Sequence, residues 1–241
     1  MTAHPLAFDP GEAAEFLAKA DARLAAVIRQ AAPFEIRPGE ETPYQSLLRA
    51  IIYQSISGKA AATIFARVKA LSGDGCAPLP EEILRLRAPV LRRAGLSAAK
   101  VAAAKDLARK TVEGIVPSLD QAHAMSDGEL VERLIQVRGV GAWTVEMLLI
   151  FRLGRPDVLP VHDFGVQKGF ALTYGKRRLP KPKELEAFGE RWRPYRTVAS
   201  WYLWRAVELA GKDARKINKN SGKKKRNAKR RTRKSKSARL A

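Results

Sequence analysis

Apolar residues recur at helical spacing along most of this chain. After Pro10, Phe16, Leu17, Leu24, Val27 and Ile28 form one stripe, which predicts a single long amphipathic helix ending before Pro33. Phe34 to Thr42, with Pro38 and Gly39, reads as a connecting loop. Helix returns at Pro43, a favoured first helical position, and runs through Tyr44, Leu47, Leu48, Ile51 and Ile52. A short polar stretch, Gln54-Ser55-Ile56-Ser57-Gly58-Lys59, separates it from the helix AAATIFARVKAL. Two short helices follow Pro80, then a longer one with Ser97 as N-cap and Gly114 as its stop. Ser126 and Glu129 have capping-box spacing and open a helix carrying Leu130, Val131, Leu134 and Ile135. That helix enters Gly139-Val140-Gly141, and a second apolar run, Val145, Leu148 and Leu149, leaves it. Pro182 starts a helix reaching about Trp192, and the last one begins at Pro194-Tyr195-Arg196 and ends near Gly211. With no convincing β-hairpin, no repeat and no phosphate loop, the fold class is all-α.

Helix, GVG, helix is the most informative of these patterns. Glycines at the first and third turn positions permit positive φ and close approach of another molecule, so successive N–H groups can point outward as an anion nest. The pattern resembles the helix-hairpin-helix motif of DNA-binding proteins; a plain αα-hairpin closed by glycines is the other reading. Asp163 lies 24 residues after Gly139, in Leu159-Pro160-Val161-His162-Asp163-Phe164-Gly165. That spacing accommodates one helix, a loop around Gly154 and Pro156, and the start of another helix, returning an acid towards the hairpin. Asp163 also suits an ordinary N-cap, and the two roles are compatible because a helix N-terminus favours negative charge.

Composition narrows the choices. The chain has 241 residues, 46% of them apolar, enough for a sizeable core in one or two domains. Its single cysteine, Cys76, excludes an internal disulfide and any four-cysteine zinc or iron–sulfur site. No apolar run is long enough to span a membrane and the N-terminus lacks signal-peptide character, so a protein acting inside the cell is expected. The net charge of +21 is uneven: residues 211–241 hold fifteen Lys/Arg against Asp213 alone. This stretch is expected to be a disordered basic tail appended to a helical region over 1–210, with nucleic acid as its partner through counterion release or with a solubilising role only.

Arg49 to Val68, RAIIYQSISGKAAATIFARV, together with AGLSAAKVAAAKDLA, AWTVEM and RWRPYRTVASWYLW, resembles the alkylation-repair, or 3-methyladenine, branch of the helix-hairpin-helix DNA glycosylase superfamily, especially its compact yeast-like members. The resemblance implies two helical subdomains with a cleft between them, without the N-terminal β-rich domain of many bacterial members and without the iron–sulfur cluster of another branch. It implies a monomer acting on damaged duplex DNA, in the cytoplasm at the nucleoid of a bacterium or in the nucleus of a eukaryote.

The same resemblance assigns roles. Arg138, Gly139, Val140 and Gly141 would grip phosphate, and the carbonyls of Val137 and Val140 would hold a monovalent cation; Arg138 stands where the family usually has proline. Ser55, Ile56 and Ser57 match the loop that fills the space left by the extruded nucleotide. Ile56 is its apolar wedge, unless that side chain packs in the core. Trp143, Met147 and Trp204 would form the base pocket, with electron-rich indole faces favouring a cationic alkylated purine. Core packing is the other reading for both tryptophans, and the preferred one for Trp192 and Trp201. Met147 stands where bacterial members often carry an aromatic residue. In members that also cut the backbone, the residue two after the last hairpin glycine is a Schiff-base lysine. Here it is Trp143, which has no nucleophilic amine. Asp163 would stabilise the oxocarbenium-like sugar and direct water. The expected activity is therefore monofunctional excision of alkylated purines with no catalytic metal or cofactor; a non-catalytic DNA-binding protein and a bifunctional glycosylase/lyase are the alternatives.

Overall fold

The computed structural model describes residues 6–73 and 75–212, and no strand occurs among them. The helices are α1 (Pro10–Ala20), α2 (Ala22–Gln30), α3 (Pro43–Tyr53), α4 (Gly58–Lys69), α5 (Pro80–Arg85), α6 (Ala88–Ala94), α7 (Ala98–Val112), α8 (Leu119–Ala124), α9 (Asp127–Leu134), α10 (Ala142–Phe151), α11 (Phe164–Thr173) and α12 (Pro182–Gly189). A 3₁₀ turn (Glu190–Trp192) and a final helix, α13 (196–212), complete the order. Most of the expected basic tail lies outside the described residues.

The helical region comprises two compact units interleaved along the chain. The first is built on Glu35–Pro160, with the segment around Phe8 and Pro194–Thr197. Its centre is α7, which packs against α3, α5 and α6 through Val101, Ala104, Leu107 and Ala108. Thr42 starts α3 with a full capping box, and Leu47, Leu48, Ile51 and Ile52 on that helix are all buried. Ser97 and Ser126 cap α7 and α9 as their sequence spacing predicts. Apolar residues surround α10 on every side, so it is buried along Val145, Leu148, Leu149 and Ile150 and exposed only where Ala142 and Trp143 begin it. The short helix α8 carries Ser118 and Gln121 as a capping box, and Arg155 Nη2 donates to the carbonyls of Ala122, His123 and Met125 at its other end. A guanidinium over the last carbonyls stabilises a helix too short to persist alone.

The second unit contains Pro10–Phe34, Val161–Arg193 and the described residues from Val198 to Lys212. Here the single long helix expected over the first apolar stripe is broken. Asp21 caps a new helix instead, Oδ1 accepting from the N–H groups of Arg23 and Leu24 at 3.1 Å. Its other oxygen accepts from Tyr174 O–H at 2.6 Å and Trp192 Nε1–H at 3.3 Å. Asp21 is only 7% exposed, so these four donors replace the water it has lost. Burial, then the bond to Asp21, pushes the Tyr174 hydroxyl pKa up. Tyr174 and Trp192 belong to an aromatic cluster with Phe170 and Phe188, and Trp192 is fully buried, the core role expected of it. Thus tertiary hydrogen bonds, not local propensity, break the first helix.

Candidate active site

In the first unit the hairpin joins α9 to α10. Gly139 adopts φ +80°, as a tight turn requires, but Gly141 does not: it is the N-cap of α10 at φ −104°. Of the two features glycine permits, positive φ is used at Gly139, and at Gly141 only the uncovered main chain is. No atom lies within 4 Å of where a Cβ on Gly141 would sit, so nothing inside the protein demands glycine there. What glycine leaves at that exposed position is an uncovered main chain at a helix N-terminus, where an anion is favoured. Within the turn, Val140 N–H bonds Val137 C=O at 3.0 Å and Thr144 N–H bonds Gly141 C=O at 2.9 Å. Arg138 N–H is taken by Asp106 Oδ2 at 2.8 Å, and the residue is exposed.

Of the two carbonyls expected to hold a monovalent cation, Val137 C=O accepts one bond, from Val140 N–H, which leaves it a second lone pair. Close by in the chain, Gly139 C=O accepts from Gln54 Nε2 at 2.9 Å and the Lys110 ammonium donates to Gln136 C=O. Burial raises the Asp106 pKa, but this is outweighed by its bonds from Lys110 and Arg138 N–H and by the charges of Lys110 and Arg109, so the carboxyl pKa lies below its ordinary value.

The loop after α3 lies beside the hairpin in this unit, joined to it by the Gln54–Gly139 bond. Ser55 at its tip has φ +58°, a left-handed conformation that costs a non-glycine residue free energy. Ile56 is 39% exposed, which removes the core-packing alternative, and Ser57 caps α4 through Ala60 N–H. Trp143 is 47% exposed at the start of α10, and Met147, one turn on, is half-buried.

From α10 the chain passes Gly154, at φ +62°, into a loop fastened by the start of α13. Thr197 Oγ1 accepts from Val158 N–H and donates to Arg155 C=O, and the Arg196 guanidinium holds the Asp157 carboxylate from Nε and Nη2 at 2.7 and 3.0 Å. Asp163 follows, in the second unit, and caps α11 through Val166 N–H at 2.8 Å. The same oxygen, Oδ1, accepts from Trp204 Nε1–H on α13, also at 2.8 Å. The acid and one indole expected in the pocket are therefore brought together and held at fixed orientation. His162 is exposed, in keeping with a solvated histidine.

Sequence reasoning missed what makes that contact fit. Gly165 and Gly169 are one turn apart on α11. A Cβ on Gly169 would lie 2.0 Å from the Leu203 carbonyl oxygen, and one on Gly165 would meet Trp204 Cδ1 at 2.7 Å and Asp163 Oδ1 at 3.0 Å. Two glycines four apart on one helix were the available signal of close backbone approach. Gly165→Ala is expected to push the indole off the carboxylate and lower the single-turnover rate by about tenfold or more, with duplex affinity unchanged. An unaltered rate would show that the Trp204–Asp163 bond is dispensable.

A helix-hairpin-helix followed by one capped, indole-bonded acid defines a helical nucleic-acid-processing fold. The chain belongs to the HhH-GPD superfamily of base excision DNA repair proteins, whose profile matches residues 48–194. It is similar to DNA-3-methyladenine glycosylase 1 of Schizosaccharomyces pombe, with 40% identity over 171 residues, 71% of this chain and 75% of that protein. The structure of the 3-methyladenine DNA glycosylase of S. pombe in complex with abasic DNA matches with TM-score 0.70 and 36% identity, over 83% of this chain and 98% of that one. A DNA-3-methyladenine glycosidase from Bacillus halodurans matches with TM-score 0.75 and 32% identity, over 88% of this chain and 95% of that one. No helix among the described residues is long and apolar enough to cross a membrane.

Proposed function

We propose that this chain is a monofunctional DNA glycosylase that removes alkylated purines such as 3-methyladenine and 7-methylguanine from duplex DNA, acting wherever the genome is housed. The observation that carries the proposal is the Asp163 carboxylate, fixed by Val166 N–H and Trp204 Nε1–H at the start of α11. In this reading the C1′–N bond breaks with its electron pair leaving on the base. The carboxylate stabilises the positive sugar, and water adds to C1′ as Asp163 takes its proton. An alkylated purine is already cationic and leaves readily, so no separate acid is required. Backbone N–H groups of Gly139 and Gly141 and the Arg138 guanidinium grip phosphate, Val140 N–H being engaged within the turn, and the exposed loop at Ser55–Ser57 enters the stack. The exposed indole of Trp143 and the indole of Trp204 stack on the cationic base, with Met147 beside Trp143 completing the apolar surface.

The test is release of free methylated base from alkylated duplex, followed by chromatography, with borohydride present in a parallel reaction. Base is expected to appear with an intact abasic strand and no trapped protein–DNA adduct, because position 143 carries no amine. Binding without release would favour a non-catalytic DNA-binding protein, and a trapped adduct would favour a glycosylase/lyase.

A further inference from the structure

One stripe of α7 is attached to both loops assigned to DNA, and nothing in the chemistry above uses it. Lys100, Ala103, Asp106 and Lys110 follow one another at spacings of three, three and four residues, which places them on one side of the helix. At one end, Lys100 Nζ donates to the carbonyls of Ile52 and Gln54 at 2.7 and 2.8 Å, capping the last turn of α3 with a cation. In the middle, the Cβ of Ala103 lies 3.6 Å from where Gly139 would carry its own, so the hairpin rests on the helix. At the other end, Asp106 accepts from Arg138 N–H, and Lys110 bonds both Asp106 and the Gln136 carbonyl. The Gln54–Gly139 bond closes the figure. Immediately after the carbonyl that Lys100 holds comes Ser55, in its left-handed conformation. Such strain persists only where neighbours over-determine it.

We propose that Lys100 is a positioning residue for base extrusion: through the Ile52 and Gln54 carbonyls it holds the Ser55–Ser57 loop in its strained form, at a fixed offset from the hairpin. The loop that enters the duplex and the amides that grip the backbone then meet DNA in one register. This rests on the glycosylase reading, and it makes a demand that a merely structural lysine would not. Extrusion is costly for a paired base and cheap for one with no partner. The contribution of Lys100 must therefore depend on the base opposite the lesion.

The experiment uses the full chain and its Lys100→Met, Lys100→Arg and Gln54→Leu variants. Single-turnover release of 7-methylguanine is measured from two duplexes, one with cytosine and one with a tetrahydrofuran abasic analogue opposite the lesion. Lys100→Met should slow release from the paired duplex about thirtyfold, the scale of one charge-assisted hydrogen bond. From the unpaired lesion the loss should be no more than about threefold. Lys100→Arg should restore most of the rate, and Gln54→Leu, which keeps the lysine, should show the same dependence on pairing. Equal slowing on both duplexes, or none on either, overturns the proposal. If Lys100→Met does not fold, Gln54→Leu decides by the same comparison. Absence of release by the unaltered chain from both duplexes defeats the glycosylase reading itself and takes this proposal with it.

Discussion

Asp163→Asn is expected to lower single-turnover excision of an alkylated purine by about 10²–10⁴-fold, the usual contribution of a positioned acid–base group. The substitution isolates the chemistry because so little else changes. Asparagine caps helices about as well as aspartate, so the bond from Val166 N–H to Oδ1 survives and α11 keeps its start. An amide oxygen also accepts from Trp204 Nε1–H, so the indole keeps its place. What disappears is the charge facing the sugar and the ability to take a proton from water. Affinity for undamaged duplex, read by fluorescence anisotropy, should stay within about twofold or tighten slightly, since a negative charge has been removed from a DNA-binding protein. A variant that excises at the unaltered rate would remove Asp163 from the mechanism.

The largest stability effect is expected at Asp21. Alanine there removes the cap of α2, worth about 1 kcal/mol, and leaves the Tyr174 hydroxyl and the Trp192 indole N–H buried without an acceptor, at about 1–3 kcal/mol each. Together these predict a loss of about 3–7 kcal/mol in urea denaturation. Asp21→Asn keeps the cap through its one oxygen and turns the other position into an amide N–H that can donate to the Tyr174 hydroxyl, so only the Trp192 N–H is left without an acceptor and the loss should be smaller. A loss for alanine below about 1 kcal/mol would mean that α1 and α2 are separated by something other than this carboxylate.

The same residue shows where the sequence stops being readable. Leu17 and Leu24 are two turns apart and alanine fills much of the stretch, so local pattern favours one helix; the donors that reward a break are 153 and 171 residues away. Helices whose caps and apolar stripes are both local were legible from sequence: α7, α9 and α11 down to their caps Ser97, Ser126 and Asp163, and α3 to its first residue, Pro43. The short helix α8 was missed although Ser118 and Gln121 have capping-box spacing, because no apolar run follows and its far end depends on Arg155. At the site, the hairpin and the acid were visible as residue types at a spacing. Lys100 and Gln54 were not, since a lysine on an alanine-rich helix and a glutamine in a loop look ordinary until the carbonyls they serve are located. At Gly141 the open surface, one of the two features read from the glycine, is the one present, and positive φ is not.

The close crossing of α11 over α13 has a further consequence. Where Gly169 meets the Leu203 carbonyl, main chain rests on main chain, and the spacing between the two helices owes nothing to side-chain rotamers. Warming or mild cosolvent, which first loosens side chains, can therefore part acid and indole only by turning those two side chains, because the main chains that carry them stay at a fixed spacing while the helices are docked.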